Sequence, residues 1–175
     1  LKLFSAKAFD WIATLLNMVE AGSEWPQQMR TARAAFMAKE ADGDMDPLSY
    51  RVLLMLPAIY RLWAKVRLLH LGPWVAQWDL PEFFAGTRGK GAHDATYDTA
   101  LLMEKCKLEG RHFTGASADI FKCFDQLVRQ LVYRVLEHAG CPEGIVNAYR
   151  NYMENVMIHN SIAGGVGKGY RKHCS

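Results

Sequence analysis

Apolar residues recur three or four positions apart along most of the chain, which is the spacing of one face of an α-helix. This periodicity predicts five helices separated by short breaks. Their apolar stripes are Phe9, Ile12, Leu16 and Val19; Ile59, Leu62, Trp63, Val66 and Leu69; Tyr97, Leu101 and Leu108; Leu127, Leu131 and Val135, with Val128, Val132 and Leu136 beside them; and Ile145, Val146, Tyr149, Tyr152 and Val156.

Capping residues and helix breakers set the expected ends of these helices. A side chain that accepts a hydrogen bond, or a proline in the first turn, favours a start, whereas glycine favours a stop. The predicted starts are Ser5, Pro57, Asp94, residue 126 and Pro142, and the predicted stops are Ala21-Gly22-Ser23, Gly72-Pro73, Gly110 and Gly140.

A smaller part of the chain shows strand-like patterns. Residues 50–56 form an apolar run, residues 113–124 form a short extended run, and residues 33–39 are compatible with a helix or a strand. Residues 155–162 and 170–174 flank a glycine-rich segment and predict a hairpin, while residues 40–47 predict a turn. Helices alternating with few strands indicate an α+β fold.

Composition narrows the class of protein without naming it. The 175 residues are 50% hydrophobic and 22% charged, which suits one globular domain or two small ones. The net charge of +3 permits a nucleic-acid partner without requiring one. Four cysteines stand singly, at positions 106, 123, 141 and 174, so we expect reduced thiols rather than disulfides or a zinc site.

Targeting signals are not apparent in the sequence. Charged residues interrupt the apolar positions near the start, and no apolar stretch has the length needed to cross a bilayer. We therefore expect an intracellular protein, in the nucleus or the cytoplasm, without a membrane partner. The chain starts on leucine and stops within patterned sequence, so we expect it to be a fragment.

The stretch Ala118-Asp119-Ile120-Phe121-Lys122-Cys123-Phe124-Asp125 is the strongest candidate for chemistry. Asp119 lies in an apolar-flanked run, where an isolated charge is costly, so its carboxylate is expected to meet a cation or water. A strand that ends in a carboxylate is one way to present a metal ligand. Asp125 also fits a simpler role as the N-cap of the helix that follows.

A second candidate is the loop Gly86-Thr87-Arg88-Gly89-Lys90-Gly91. Glycines let backbone amides approach an anion, and Arg88 and Lys90 add positive charge. It is not a Walker loop, because glycine rather than serine or threonine follows Lys90. The later run of glycines at residues 164–169 fails the same test and is better explained as a hairpin tip.

Taken together, these motifs resemble the reverse transcriptase domain of non-LTR retrotransposons and their group II intron relatives, from about Trp25 to the end. The stretch from Ala118 to Asp125 is similar to motif A of that family, an Asp-x-x-x-x-aromatic-Asp pattern. The second fingers block of the family resembles Phe84-Ala85-Gly86 through Gly89-Lys90 and Asp94-Ala95. The first fingers block of the family resembles Tyr50-Arg51 with Leu54, Pro57, Tyr60 and Lys65, although Val52 replaces the proline that is usual there.

The resemblance implies a right-hand polymerase with three regions: an N-terminal helical extension at residues 1–24, fingers at 25–111 and the first part of the palm at 112–175. It implies that Asp119 and the backbone carbonyl of Ile120 bind Mg²⁺, and that Phe124 excludes the 2′-hydroxyl of a ribonucleotide. Arg51, Arg88 and Lys90 are implied to bind substrate, with the choice between Arg88 and Lys90 at the triphosphate left open. The resemblance also implies a helix-rich α+β fold with a small antiparallel sheet, one strand of which carries the motif A segment.

The implied reaction is RNA-directed DNA synthesis by two-metal nucleotidyl transfer, with an RNA template, a DNA primer and deoxynucleoside triphosphates as partners. The family's Pro-Gln-Gly turn and aromatic-x-Asp-Asp hairpin are absent from this sequence. We therefore expect no polymerase activity from this chain alone, and primer extension by it would contradict that expectation.

Three other functions remain open at this stage. A polymerase-like relic could bind RNA without chemistry. An RNA-templated RNA polymerase is distinguished through Phe124, because replacing a gate at this position with valine in a completed enzyme should raise ribonucleotide incorporation. A helical interaction domain would require the three ordered motif matches to be coincidental.

Overall fold

The computed structural model describes residues 4–39, 49–120, 123–162 and 164–172, with Phe124 and Asp125 described by their backbone only. These residues confirm the α+β class. The helices are α1 (Ala6–Glu20), α2 (Ala58–Val75), α3 (Ala92–Leu108), α4 (Cys123–Gln126), α5 (Arg129–His138) and α6 (Glu143–Asn155), with a 3₁₀ turn at Gln27–Met29. The strands are β1 (Thr31–Ala38), β2 (Tyr50–Met55), β3 (Met157–Ile162) and β4 (Gly165–Val166).

The chain divides into two compact units. The first unit comprises Leu1–Leu69 and Leu127–Ser175, and the second comprises His70–Gln126. All four described strands lie in the first unit, whereas the described part of the second unit is helical or irregular. The subdomain boundaries expected after residues 24 and 111 are functional divisions and stay a prediction.

The sheet is mixed, so the prediction of an antiparallel sheet is wrong in this respect. Its strand order is β2-β1-β3-β4. Strand β1 pairs antiparallel with β2 and parallel with β3, and β3 pairs antiparallel with β4. Residues 33–39, which were compatible with a helix or a strand, form most of β1. In this strand the small side chains of Ala32 and Ala34 pack into the core, and they alternate with the exposed Thr31 and Arg33.

A hairpin is present at the glycine-rich segment, but its second strand, β4, lies within residues 164–169, which were predicted to be the tip. Ile162 pairs with Gly165, and Gly164 has a φ of +84°, a value that suits glycine. Farther from the tip, Tyr170 forms a β-bridge with Ile158. The predicted turn at residues 40–47 and the last two residues of the predicted second strand, 173–174, lie outside the described residues.

Trp25 is at the centre of the core of the first unit. Its side chain is fully buried, and its indole Nε1 donates a hydrogen bond to the backbone carbonyl of Ala148 at 2.9 Å. The rings of Tyr60, Trp63 and Tyr152 each meet it edge to face, with centroids 5.5 Å away. Edge-to-face pairs match the positive edge of one ring to the negative face of another. This cluster joins the segment before β1 to α2 and α6.

The hydroxyl groups of this aromatic core are held in their neutral form. Tyr60 stacks on Tyr152 with ring centroids 3.5 Å apart. Burial raises the pKa of Tyr152 to about 12 and also raises the pKa of Tyr60. The Tyr152 hydroxyl has no hydrogen-bond partner among the described residues. The core therefore contains one buried polar atom that costs stability rather than adding to it.

The predicted end of the second helix at Gly72-Pro73 is wrong. Helix α2 continues through Gly72 and Pro73 to Val75. Pro73 lies in the last turn, where its missing N–H costs a single hydrogen bond and the helix axis ends soon afterwards.

No helix in the described part of the chain is both long and apolar enough to cross a bilayer.

The helix predicted over residues 126–139 is two shorter helices, α4 and α5, separated by Leu127 and Val128. Its predicted apolar stripe is also wrong, because Leu127, Leu131 and Val135 are exposed. Helix α5 instead buries Tyr133, whose hydroxyl donates to Glu154 at 2.9 Å. The buried face of α5 is therefore set by an aromatic ring with a polar partner on α6.

Candidate nucleotide-binding site

The glycine-and-base loop lies in the second unit, between α2 and α3. Gly86 and Gly89 have φ values of +75° and +80°, so both positions require a residue without a side chain. The Thr87 hydroxyl donates to Asp79 at 3.1 Å, and the Lys90 amide donates to the Thr87 carbonyl at 3.3 Å. These bonds give the loop a defined conformation.

Lys90 is engaged within this loop. Its ammonium donates to the carbonyls of Leu80 and Pro81 at 3.1 and 3.0 Å. It also lies 4.0 Å from the carboxylate of Asp79 and 5.8 Å from the centre of the Phe84 ring. All of these contacts are with residues that precede the loop. Lys90 therefore holds the end of the loop against residues 79–84.

Arg88 differs from Lys90 in its surroundings. Its side chain is exposed, and it forms no hydrogen bond or ion pair with any residue that the structure describes. The loop therefore presents one cation to solvent and retains the other. A guanidinium with its donors free is suited to a phosphate group.

Helix α3 begins directly after the loop. The predicted start at Asp94 is wrong by a few residues, because the helix begins at Ala92 with Gly91 as its N-cap. Asp94 lies in the first turn, and its carboxylate accepts a hydrogen bond from the Gly91 amide at 2.7 Å. The carboxylate also supplies negative charge where the helix dipole is positive. The carboxylate of Asp94 therefore partly neutralises the start of α3, whereas Arg88 in the preceding loop presents positive charge to solvent.

The motif A segment also lies in the second unit, where its predicted strand is absent. Residues 111–120 have no regular secondary structure and are exposed throughout. Gly115, Ala116 and Ser117 have low strand propensity, and the described part of this unit offers no strand for pairing. The sheet therefore does not carry motif A. Asp119 and Ile120 are both exposed, with Ile120 at 65%.

The second half of motif A forms the short helix α4. Phe124 and Asp125 lie within it, and their side chains are outside the described part of the structure, as are Phe121 and Lys122. The predicted capping role of Asp125 is wrong, because α5 begins at Arg129 and its N-cap is Val128. The role of Phe124 as a gate at the sugar stays a prediction.

Arg51 belongs to the first unit. It is exposed on the edge strand β2, where its backbone pairs with that of Met37. The structure therefore brings Arg88, Lys90, Asp119 and Ile120 into one unit and places Arg51 in the other.

A preformed metal site is not visible in the described residues. They contain no group of three histidine, cysteine, aspartate or glutamate side chains that could hold a metal ion. The Asp119 carboxylate and the Ile120 carbonyl are oxygen donors, which is the class that Mg²⁺ prefers, but two protein donors do not make a cage. The described residues therefore do not fit a complete magnesium site.

Sequence reasoning missed two polar features of the first unit. One is the carboxylate of Glu20, which binds both Trp63 and Arg67. The other is a row of asparagines on α6, Asn147, Asn151 and Asn155, whose spacing of four residues was the available signal. Both depend on contacts between α1 and later helices.

No family model matches the chain, and no curated protein is significantly similar to it.

Proposed function

We propose that this chain forms the fingers and the first part of the palm of an RNA-directed DNA polymerase of the non-LTR retrotransposon type. The observation that carries the proposal is the motif A pattern from Asp119 to Asp125, preceded in order by two fingers-like blocks. Two properties of the second unit support it: the Asp119 carboxylate is exposed, and Arg88 offers an exposed guanidinium.

In this proposal Arg88 binds the triphosphate and Lys90 positions the loop that carries it. The guanidinium fork can bond two phosphate oxygens at once, whereas the Lys90 ammonium already donates to two carbonyls. Because Arg88 is exposed, its guanidinium can contact the phosphates directly and orient them. Asp119 contributes one oxygen ligand for Mg²⁺, and further ligands have to come from outside the described residues.

We expect Arg88→Ala to weaken binding of dTTP and of an RNA–DNA primer–template by about five- to tenfold, with the slope of log affinity against log salt reduced by about one. Fluorescence anisotropy at several salt concentrations measures both quantities. Arg134→Ala is the matched control, because Arg134 is an exposed arginine on α5 of the first unit. Equal losses in the two variants would contradict a specific role for Arg88.

Lys90→Ala completes this comparison. It removes the two carbonyl contacts, so we expect a lower thermal midpoint, whereas Arg88→Ala leaves the midpoint unchanged because Arg88 has no described partner. If Lys90→Ala weakened dTTP binding at unchanged stability, the two cations would have exchanged roles.

The metal role of Asp119 has its own test. We expect Mg²⁺ to strengthen dTTP binding by the wild-type chain, and Asp119→Asn to remove this gain while leaving binding in EDTA unchanged, since the amide lacks the anionic oxygen. Asp98→Asn is the control, because Asp98 is exposed on α3. Isothermal titration calorimetry with and without Mg²⁺ separates the two states. An identical Mg²⁺ response in Asp119→Asn and the wild type would refute the assignment.

The second candidate function is an RNA-binding module that has lost its chemistry. The observation in its favour is that the motif A segment is irregular and that the described residues lack a metal-binding group. This candidate predicts that duplex affinity is the same in Asp119→Asn and the wild type with or without Mg²⁺. A loss that appears only with Mg²⁺ would exclude it.

A further inference from the structure

The sheet of the first unit buries one face and exposes the other. Ala32 and Ala34 of β1 are buried in the aromatic core, so the residues that alternate with them point to the opposite side of the sheet. Residues that pair directly across two strands lie on the same face. The register therefore places six outward positions on β1 and β2, which we call the open face: Arg33 opposite Met55, Ala35 opposite Leu53, and Met37 opposite Arg51.

The next strand, β3, bounds the open face on one side. Gly169 comes so close to Met157 and His159 of β3 that a Cβ on it would lie 2.8 Å from each side chain. His159 pairs with Arg33, so its ring also lies on the outward side, and its Nδ1 is 3.0 Å from the Gly167 carbonyl. Residues 167–169 therefore cover part of β3 and leave a strip two strands wide over β1 and β2.

Four of the six positions of the open face are apolar, which contact with water does not explain. Where one face of a sheet is solvated, its outward residues are typically polar and alternate with the buried ones. Here Met37, Leu53 and Met55 expose 51%, 52% and 52% of their surface. Neighbouring exposed apolar side chains with charges at their rim are typical of a binding surface, and methionine adapts its shape to a partner.

The charge of the open face is entirely positive. Arg33 and Arg51 are exposed, and neither forms an ion pair or a side-chain hydrogen bond with any residue that the structure describes. The outward positions of the described strands include no aspartate or glutamate. A partner that carries carboxylates is complementary to this charge.

The two arginines lie at opposite ends of the apolar strip. Arg51 is opposite Met37, four residues along β1 from Arg33, so the two arginines are about 14 Å apart at the usual rise and spacing of β-strands. An α-helix is about 10 Å wide, which suits a strip of this width, and helices commonly cover sheets with an apolar stripe. Acids eleven residues apart on such a helix share one face and are about 16 Å apart, within reach of both guanidinium groups.

We infer that the open face binds an amphipathic helix of a partner protein. The apolar stripe of this helix packs on the four apolar side chains of the open face, and an acidic residue at each end of the stripe pairs with Arg33 or Arg51. Apolar contact supplies affinity, and the spacing of the two ion pairs fixes the register of the helix on the sheet.

A single-stranded nucleic acid fits the open face less well. Sheet faces that bind one stack its bases on aromatic rings, and the six positions include none. The inference goes beyond the proposed polymerase function, whose Arg88, Lys90 and Asp119 belong to the second unit. It gives Arg51 a protein partner in place of the substrate role that the resemblance implies.

The direct test is fluorescence anisotropy of the whole chain with three labelled helical peptides. Each peptide has a leucine stripe between two positions eleven residues apart, and these two positions are both glutamate, both glutamine or both lysine. We expect the glutamate peptide to bind about five- to tenfold more tightly than the glutamine peptide, and the lysine peptide to bind most weakly.

Charge reversal in the protein should reverse this order. In Arg33→Glu we expect the glutamate peptide to lose about tenfold in affinity and the lysine peptide to gain affinity, at an unchanged thermal midpoint because Arg33 has no described partner. Leu53→Ala should weaken all three peptides alike, by about fivefold, because it removes apolar contact and leaves the charge. Arg134→Glu is the matched control, since it changes the net charge equally at an exposed arginine of α5, and it should leave all three affinities unchanged.

Three results would overturn the inference: no binding of the glutamate peptide at millimolar concentration, equal affinity for the glutamate and glutamine peptides, or equal losses in Arg33→Glu and Arg134→Glu. An octamer of ribouridylate tests the nucleic-acid alternative as a competitor. Displacement of the glutamate peptide by the octamer would make the open face a nucleic-acid surface and contradict the inference, whereas no displacement supports a protein partner. Binding of dTTP should be unchanged in Arg33→Glu, so failure of this inference is distinguishable from failure of the proposed function.

Discussion

Replacing Trp25 with alanine should lower the free energy of unfolding of the first unit by about 4 kcal/mol. The side chain is fully buried, contacts three aromatic rings and bonds the Ala148 carbonyl. The variant loses the apolar contacts, opens a cavity and leaves that carbonyl without its donor. Because domains are typically stable by about 5–15 kcal/mol, this is a large share of the total.

Urea denaturation followed by far-ultraviolet circular dichroism measures this loss. Trp25→Phe retains an aromatic ring but not the N–H, so its loss should be smaller, and it gives a measurable value if the alanine variant does not fold. Trp11→Ala is the matched control, because Trp11 is a tryptophan of α1 with 70% of its surface exposed. We expect less than about 0.5 kcal/mol there. Equal midpoints for Trp11→Ala and Trp25→Ala would show that the aromatic cluster is not the core.

The parts of the fold that could be predicted from the sequence are those set by local signals. Ser5 caps α1 through a bond from the Ala8 amide at 3.3 Å, and Gly22 ends it with a φ of +108°. Pro142 precedes α6, whose inner face buries Val146 and Tyr152 as its periodicity indicated. Each of these outcomes depends on residues within a few positions of one another.

Predictions failed where the outcome depends on a distant partner. An extended run becomes a strand only when a neighbouring strand completes its hydrogen bonds, and residues 113–119 have none among the described residues of their unit. Periodicity in the helix after motif A identified the apolar faces but not which face is covered. Tyr133 is the buried residue there, and its hydroxyl donates a hydrogen bond to Glu154 on another helix.

In the candidate site, too, the sequence did not reveal what depends on residues distant in the chain. Arg88 and Lys90 are two cations in one glycine-rich loop, and the sequence offers no reason to distinguish them. The structure distinguishes them, because the Lys90 ammonium donates to the carbonyls of Leu80 and Pro81, about ten positions earlier in the chain. Arg88 has no such contact and is exposed.

Glu20 links α1 to α2, and its replacement by glutamine should cost about 2 kcal/mol of stability. One carboxylate oxygen accepts from Trp63 Nε1 at 2.6 Å and from Arg67 Nε at 2.5 Å, and the other accepts from Arg67 Nη2 at 2.6 Å. Glutamine has the same shape but no charge, and its NH₂ group would turn one acceptor into a donor facing a donor. The partly buried guanidinium would then lack its counter-charge.

Glu24→Gln is the matched control for this substitution. Glu24 also pairs with an arginine, Arg30 at 3.2 Å, but its side chain is 74% exposed. Exposed ion pairs contribute about 0–1 kcal/mol, so the two substitutions differ mainly in burial. Urea denaturation at 0.1 and 1 M NaCl should show a small, salt-sensitive loss for Glu24→Gln and a larger, less salt-sensitive loss for Glu20→Gln. Equal losses would mean that the Glu20 carboxylate acts only as a surface charge, and that packing alone joins α1 to α2.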